Sequence, residues 1–154
     1  MSFGGFSPSA RDRVAKLAQT MAHERACERL IVGYAHALDF GRLEAALAVF
    51  SPHAVFEVLG TVLTGSGEIE RALGVFVDRH PVTRHLLASV AIHPHADGSA
   101  DGISYLTIHG ERSAPLLVGH LRDRFVAGEG GWRIERRRLD AVFVDESFAW
   151  PTAL

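Results

Sequence analysis

The chain has 154 residues, of which 47% are hydrophobic and 22% are charged, and its formal net charge is −2. These values are typical of one globular domain with a substantial core, and the scattered positive charges favour neither a nucleic acid nor a membrane surface as a partner. The single cysteine, Cys27, excludes a disulfide within one chain and is expected to be a buried, unreactive thiol.

The beginning and the end of the sequence are expected to lie outside the folded core. Residues 1–9 contain two glycines and a proline and are predicted to be loose, while residues 148–154 are predicted to form a tail. A single domain is therefore expected over residues 10–147. No charged segment followed by an apolar run indicates a signal peptide, and no stretch approaches the ~18 apolar residues of a membrane-spanning helix, so we expect a cytoplasmic protein.

A long helix is predicted over residues 10–38, either continuous or broken near Thr20. Its apolar residues recur at three- and four-residue spacing and so share one helical face: Cys27, Leu30, Ile31, Tyr34 and Leu38. Gly41 can leave this helix with a positive φ. Asp39 lies at the negative end of the helix dipole, where a carboxylate is mildly unfavourable. It therefore either caps the turn with Gly41 or meets a partner from elsewhere in the fold.

Shorter elements are predicted next. They are a short helix over residues 43–50, a strand over residues 54–63 that bends at Gly60 and, after a break at residues 65–68, a helix over residues 69–77. Pro52 is expected to prevent the first of these helices from continuing.

The remainder of the chain is predicted to be an antiparallel meander. Its four strands are expected over residues 82–93, 103–110, 115–126 and 132–144, with turns at residues 97–98 and 128–131. In the last strand, Arg136, Arg137 and Arg138 are predicted to form a solvated face with one arginine directed inward. Helices followed by a meander indicate an α+β fold with the helices packed on one face of a curved sheet.

Two polar side chains are the main candidates for catalysis. His85 lies early in a strand among apolar neighbours, and it is either a hydrogen-bonded core histidine or a general acid–base group. Tyr34 is either a core residue or a donor to a developing oxyanion in a cavity. Residues 93–97 contain two histidines and an aspartate. They lack a fourth ligand, and the sequence contains no HExxH motif, so a metal site is not expected.

Four stretches of the sequence, taken in order, resemble the SnoaL-like branch of the NTF2-like superfamily. They are GYAHALDFGRLEAAL at residues 33–47, TRHLL at residues 83–87, GHLRDRF at residues 119–125 and GWRI at residues 131–134. The resemblance extends over residues 20–144. It implies an α+β cone, in which a strongly curved, mostly antiparallel sheet wraps around a long N-terminal helix, with two shorter helices and a pocket open at one end.

The resemblance also implies site residues. In members similar to scytalone dehydratase, a pocket histidine and an aspartate correspond to His85 and Asp39. A second pocket histidine of those members corresponds to His109. Their pocket tyrosine on the first strand falls on Val58, which is a departure from the pattern.

In members similar to ketosteroid isomerase, the oxyanion-hole tyrosine corresponds to Tyr34. Their aspartate base also falls on Val58, and the adjacent Glu57 points to the opposite face of the strand. The dehydratase-like set of residues is therefore the better preserved of the two.

These correspondences predict a cofactor-independent lyase or isomerase, similar to a dehydratase, that acts on a small, apolar, oxygenated cyclic molecule. His85 is expected to be the general base and acid, Asp39 to orient its imidazole, and Tyr34 to bind the carbonyl or enolate oxygen. Further substrate contacts are expected from Phe56, Val58 and His109. The sequence contains no metal, nucleotide or flavin motif, so no cofactor is expected.

Two alternatives remain open, because a fold hosts many functions. The protein could bind a small molecule in the same cone without chemistry. It could instead be a structural subunit resembling the β subunit of a ring-hydroxylating dioxygenase. By resemblance alone, a homodimer is expected.

Overall fold

A long helix, two shorter helices and a six-stranded sheet make up residues 8–112 and 114–151, the part of the chain that the computed structural model describes. The helices are α1 (Ala10–Asp39), α2 (Leu43–Leu47) and α3 (Gly65–Arg79). The strands are β1 (Phe50–Val58), β2 (Thr61–Thr64), β3 (Arg84–Pro94), β4 (Ser99–His109), β5 (Pro115–Gly128) and β6 (Gly131–Val144). The predicted α+β class and the curved sheet with its long N-terminal helix are confirmed.

Helix α1 is continuous, so the alternative of a break near Thr20 is wrong. The Thr20 hydroxyl donates a hydrogen bond to the Lys16 carbonyl within the same helix, which leaves the backbone ladder intact. Ser9 is the N-cap and forms a capping box with Asp12. Of the segment expected to be loose, residues 1–7 lie outside the described residues. The buried face of α1 extends from Cys27 to Leu38.

The six strands form one sheet in the order β2-β1-β6-β5-β4-β3. Strands β1 and β6 are parallel, and the other neighbouring pairs are antiparallel, as the predicted meander requires. The register shifts within β3–β4, β4–β5 and β5–β6, and such bulges bend strands and increase their twist. Helix α1 packs on β3 and β6, and α3 packs on β1, which encloses the core on the concave face of the sheet.

The region between α1 and α3 differs from its prediction. Helix α2 ends at Leu47, and β1 begins at Phe50, so Pro52 lies inside a strand rather than after a helix. The strand accommodates this proline where the β1–β6 register shifts between Phe50 and Val55. Gly60 is part of a hairpin turn between β1 and β2, not a bend in one strand, and its φ of 82° suits such a turn.

Helix α3 begins at Gly65, so the expected break at residues 65–68 is instead its first turn. The Glu68 carboxylate accepts a hydrogen bond from the Thr64 backbone N–H at this end of the helix. At the other end of the chain, the expected tail is described as far as residue 151. Phe148 and Trp150 in this tail are both 9% exposed and belong to the hydrophobic core.

Candidate active site

A small apolar cavity lies between α1, α3, the concave face of the sheet and the C-terminal segment, which we define as residues 145–151. Twelve residues line it: Tyr34, Leu38, Phe56, Val58, Phe76, His85, Leu106, Ile108, Leu121, Leu139, Phe148 and Trp150. The predicted contacts Phe56 and Val58 are thus in the wall, and each is 2% exposed. The space that the centre of a water molecule can occupy is about 30 Å³, which is room for about two waters.

His85 lines this cavity, and Asp39 contacts its imidazole from outside the lining. His85 Nδ1 lies 2.5 Å from Asp39 Oδ1, and their side chains are 3% and 5% exposed. The His85 backbone N–H donates to Asp39 Oδ2 at 2.9 Å, and Thr83 Oγ1 donates to Asp39 Oδ1 at 3.0 Å. The carboxylate therefore holds both the ring and the backbone of His85.

The end of α1 explains why Asp39 is free to make these bonds. The Gly41 N–H donates to the Leu38 carbonyl at 3.1 Å, and the Arg42 N–H donates to the Ala37 carbonyl at 2.7 Å. With a φ of 65° at Gly41, the backbone itself closes the turn. Asp39 was expected either to cap this turn or to meet a partner from elsewhere in the fold. The structure favours the second interpretation, because Asp39 accepts hydrogen bonds from His85 and Thr83.

The Asp39 carboxylate is held in its ionised form. Burial by itself would raise the pKa of Asp39, but the hydrogen bonds from His85 and Thr83 outweigh it and hold that pKa below its usual range. An ionised acceptor requires Nδ1 of His85 to carry its proton, because Nδ1 is the ring atom in contact. This hydrogen bond assigns the free lone pair of the neutral imidazole to Nε2.

Tyr34 lies at another part of the same wall, on the buried face of α1. It is 6% exposed, and its ring packs edge-on against Phe50 and Phe56 at centroid distances of 5.7 and 6.5 Å. Burial raises the pKa of Tyr34 to about 12. Its hydroxyl therefore remains protonated near neutral pH and is a hydrogen-bond donor.

A buried ion pair lies behind Tyr34. Arg137 is 0% exposed and donates through Nε and Nη2 to the two carboxylate oxygens of Asp123 at 2.7 and 2.8 Å. The arginine predicted to point inward from β6 is therefore Arg137, whereas Arg136 and Arg138 lie on the exposed face. Sequence reasoning missed its partner Asp123, although this residue is directly opposite Arg137 in the β5–β6 register.

The structure does not bring His109 into the lining of this cavity, and its contact with a substrate stays a prediction. In the β3–β4 pair, His85 is opposite Ile108, and His109 is opposite Arg84. Successive residues of a strand face opposite sides of the sheet, so Ile108 shares the concave face with His85. Ile108 lines the cavity in the place where the resemblance had put a second histidine.

Several residues of the site were not predicted. Thr83 was visible beside His85, and its 2% exposure reflects the hydrogen bond to Asp39. Phe148 and Trp150 belong to the segment predicted to be a tail, where two aromatic residues close together were the available signal. The segment is fixed by a hydrogen bond from the Ala149 N–H to His80 Nε2 at 3.0 Å.

Other ionisable groups do not add to the site. His95 Nε2 lies 2.8 Å from Asp101 Oδ2, but these side chains are 43% and 55% exposed and do not line the cavity. Within residues 8–112 and 114–151, no three His, Cys, Asp or Glu side chains are grouped to hold a metal ion. Cys27 is buried, and burial raises the pKa of its thiol to about 12.

No helix among the described residues has the length and apolar character needed to cross a membrane.

Comparison with protein families gives one match that covers most of the chain. The model of the SnoaL-like domain matches residues 19–138. Among curated protein sequences, none matches this chain.

Solved structures with the same fold are numerous. An NTF2-like protein with a cystatin-like fold from Novosphingobium aromaticivorans superposes with a TM-score of 0.76 at 17% identity, covering 93% of this chain and 96% of that one. A protein of the same organism, provisionally named a scytalone dehydratase, gives a TM-score of 0.68 at 22% identity, covering 80% and 86%. A Streptomyces avermitilis protein, provisionally named a dehydratase of the NTF2-like family, gives 0.71 at 14% identity, covering 80% and 99%. At these identities the similarity establishes the fold alone.

Proposed function

The chain belongs to the SnoaL-like domain family, and we propose that it is a cofactor-independent lyase or isomerase that acts on a small, apolar, oxygenated cyclic molecule. The observation that carries this proposal is the 2.5 Å contact between His85 Nδ1 and Asp39 Oδ1 at the wall of an apolar cavity. A histidine oriented by a carboxylate is a common general acid–base arrangement. The dehydratase names of two structural neighbours point to the same reaction class.

His85 Nε2 is the proposed base. Because Nδ1–H donates to Asp39, the lone pair of Nε2 is available to accept a proton from the carbon next to a substrate carbonyl. The imidazolium that forms is stabilised by the ionised Asp39 beside it. Both side chains are almost fully buried, so this electrostatic stabilisation acts in a medium of low dielectric constant.

Tyr34 is the proposed donor to the oxygen of the enolate. It is one of two cavity residues with an ionisable side chain, the other being His85, and the remaining lining is aliphatic or aromatic. A lining without a lysine, arginine or carboxylate suits a neutral substrate, because a charged one would be desolvated without a partner. The aromatic rings of Phe56, Phe76 and Trp150 suit a flat, cyclic molecule.

The proton taken by His85 has two possible destinations, and these define the reaction class. In a dehydration, the imidazolium returns it to a hydroxyl group at the β-carbon, so that water and an α,β-unsaturated ketone are formed. In an isomerisation, the proton returns to a different carbon of the enolate. Both reactions leave His85 neutral at the end and consume no co-reactant.

A cyclic substrate requires the cavity to enlarge. The space of about 30 Å³ suits about two water molecules and no ring compound. The C-terminal segment supplies Phe148 and Trp150 to the wall, and a hydrogen bond from the Ala149 N–H to His80 Nε2 joins it to the end of α3. We therefore propose that this segment moves outward when the substrate enters.

The partner proposed for the convex face of the sheet is a second copy of this chain. Leu86, Phe143 and Tyr105 are 57%, 46% and 57% exposed. The first two lie in one row across the sheet, in which Leu86 pairs with Thr107, Thr107 with Val118 and Val118 with Phe143. Arginine and carboxylate side chains share the same face further along the strands, so a copy related by a two-fold axis would meet complementary charges.

The proposed function is tested by turnover of cyclic β-hydroxyketones, such as 3-hydroxycyclohexanone and 3-hydroxy-1-tetralone, and of the β,γ-unsaturated 3-cyclohexenone. Formation of the conjugated ketone, or of 1-naphthol from the tetralone, is followed by ultraviolet absorbance. We expect turnover by the wild-type protein and a decrease of about 10²-fold or more in His85→Asn, which keeps a donor near the position of Nδ1.

The matched control is His95→Asn, because His95 also contacts an aspartate, Asp101, but this pair is largely exposed and does not line the cavity. This control is expected to retain wild-type turnover. Equal rates in His85→Asn and His95→Asn would contradict the proposed role of His85. Binding of the ketones without conversion would favour the alternative of a binding protein.

A further inference from the structure

The Arg137–Asp123 pair is a fully buried ion pair in a mostly apolar core. Its side chains are 0% and 1% exposed, and they join neighbouring residues of β6 and β5 by two parallel hydrogen bonds. The third guanidinium nitrogen, Nη1, is buried and has no hydrogen-bond partner among the described residues. Two of the three guanidinium nitrogens of Arg137 therefore donate to Asp123, and the donors on the third have no acceptor among the described residues.

Stability alone is a weak reason for such a pair. The desolvation of two buried charges often cancels their mutual attraction, and replacement by apolar residues of similar volume is often neutral. A buried charge also imposes an electric field on its neighbours, because the surrounding medium screens it little. The aromatic ring nearest to the guanidinium receives this field most strongly.

The nearest ring is that of Tyr34. The guanidinium carbon of Arg137 lies 4.5 Å from the centroid of the Tyr34 ring and 5.8 Å from that of Phe50. A cation over an aromatic face is attracted to the ring and fixes its orientation. Tyr34 separates this cation from the cavity, because Tyr34 lines the cavity and Arg137 does not.

We infer that Arg137, held in place by Asp123, is a positioning residue that fixes the Tyr34 ring and makes its hydroxyl a stronger hydrogen-bond donor to the substrate oxygen. This inference rests on the proposed function, since it assigns a purpose to the donor strength of Tyr34. A positive charge near a phenol stabilises the state in which the hydroxyl oxygen gains negative charge. That state develops when the hydroxyl donates to an enolate oxygen.

The balance of charges around Tyr34 agrees with this role. Burial raises the pKa of the hydroxyl, the Arg137 charge lowers it, and the more weakly acting Asp123 charge raises it. The ion pair therefore has a net effect opposite to that of burial. Loss of the whole pair should raise the pKa of Tyr34, whereas loss of the Asp123 charge alone should lower it.

The composition of the chain permits a direct test. The sequence contains two tyrosines, Tyr34 and Tyr105, and Tyr105 is 57% exposed on the convex face. In a Tyr105→Phe background, global incorporation of 3,5-difluorotyrosine labels position 34 alone. Fluorination lowers the pKa of the phenol, so its titration is followed by ¹⁹F NMR under conditions in which the protein stays folded.

Two variants of this background are compared with it. In Asp123→Leu/Arg137→Met, we expect the Tyr34 pKa to rise by about one unit or more. In Asp123→Asn, we expect it to fall. The control is Asp101→Asn/Arg124→Gln, which removes an exposed ion pair from the convex face and should leave the Tyr34 pKa unchanged.

Opposite shifts in the two buried-pair variants would support the inference, and either shift alone supports it if the other variant does not fold. An unchanged Tyr34 pKa in a folded variant would overturn it, as would loss of the fold in both variants, which would assign the pair to stability. The titration needs no substrate. Its failure is therefore distinguishable from failure of the proposed function, which is judged by ketone turnover.

Discussion

Replacement of Asp39 by asparagine removes the charge at the centre of the site while preserving the shape of the side chain. The carboxylate accepts hydrogen bonds from the Nδ1–H and backbone N–H of His85 and from Thr83 Oγ1. A carboxamide offers only one oxygen, so at least one of these buried donors must face an amide N–H. A hydrogen bond to a charged group contributes about 1.5–3 kcal/mol, and we expect Asp39→Asn to lower the free energy of unfolding by this amount at pH 7. The corresponding decrease in Tm is roughly 3–12 °C.

The effect of Asp39→Asn should depend on pH. Hydrogen bonds from His85 and Thr83 outweigh burial and hold the pKa of Asp39 below its usual range. A carboxyl group whose pKa is lower in the folded state stabilises the fold fully above its unfolded-state pKa of ~3.9. This stabilisation is lost as the pH falls through the folded-state pKa. The stability difference between wild type and variant is therefore expected to shrink below about pH 4.

The assay is urea unfolding followed by circular dichroism, repeated in a series of buffers from neutral to acidic pH. The matched control is Asp101→Asn, which alters the exposed carboxylate beside His95 and Arg124. Because solvent screens these groups, the control is expected to cost less than about 1 kcal/mol. The reasoning would be refuted if Asp39→Asn were no more destabilising than the control at pH 7, or if its effect persisted unchanged in acid.

Three further predictions concern the rest of the molecule. Tyr34→Phe should lower kcat on a ketone substrate about 10²–10³-fold while preserving the ring packing; an unchanged kcat would assign Tyr34 to the core alone. Trp150→Ala should enlarge the cavity and raise the affinity for an apolar fluorescent dye, measured by titration; equal affinity would argue against access through the C-terminal segment. Phe143→Glu should convert a dimer to monomers in analytical ultracentrifugation, and a dimer that survives it would contradict the proposed interface.

The fold was predictable because its main signals are local. The three- and four-residue spacing of apolar side chains identified α1, and the turns at residues 97–98 and 128–131 identified the meander. The region around Pro52 was not predictable in the same way. A proline in a strand depends on the register shift between β1 and β6, which joins residues more than eighty positions apart in the chain. Tertiary context there overrides local preference.

In the site too, features that depend on local sequence were predictable, and features that depend on strand register were not. The position of Asp39 at a helix end left a turn cap and a distant partner as alternatives, and the resemblance pointed to His85 as the partner. The sequence did not determine that Ile108 rather than His109 lines the cavity, because a shift of one residue moves a side chain to the other face of a sheet. The pairing of Asp123 with Arg137 depends on the register of two long strands, which sequence spacing alone does not determine.

The most direct measurement of proton abstraction by His85 uses a cyclic ketone without a leaving group, such as 2-tetralone, in D₂O. Exchange of the protons next to the carbonyl is followed by NMR in the presence of the wild-type protein or His85→Asn. We expect the wild-type protein to accelerate this exchange, and we expect His85→Asn to lose about 10²-fold or more of the acceleration. Equal exchange rates with the two proteins, or a bound ketone that does not exchange with either, would contradict the assignment of His85 as the catalytic base.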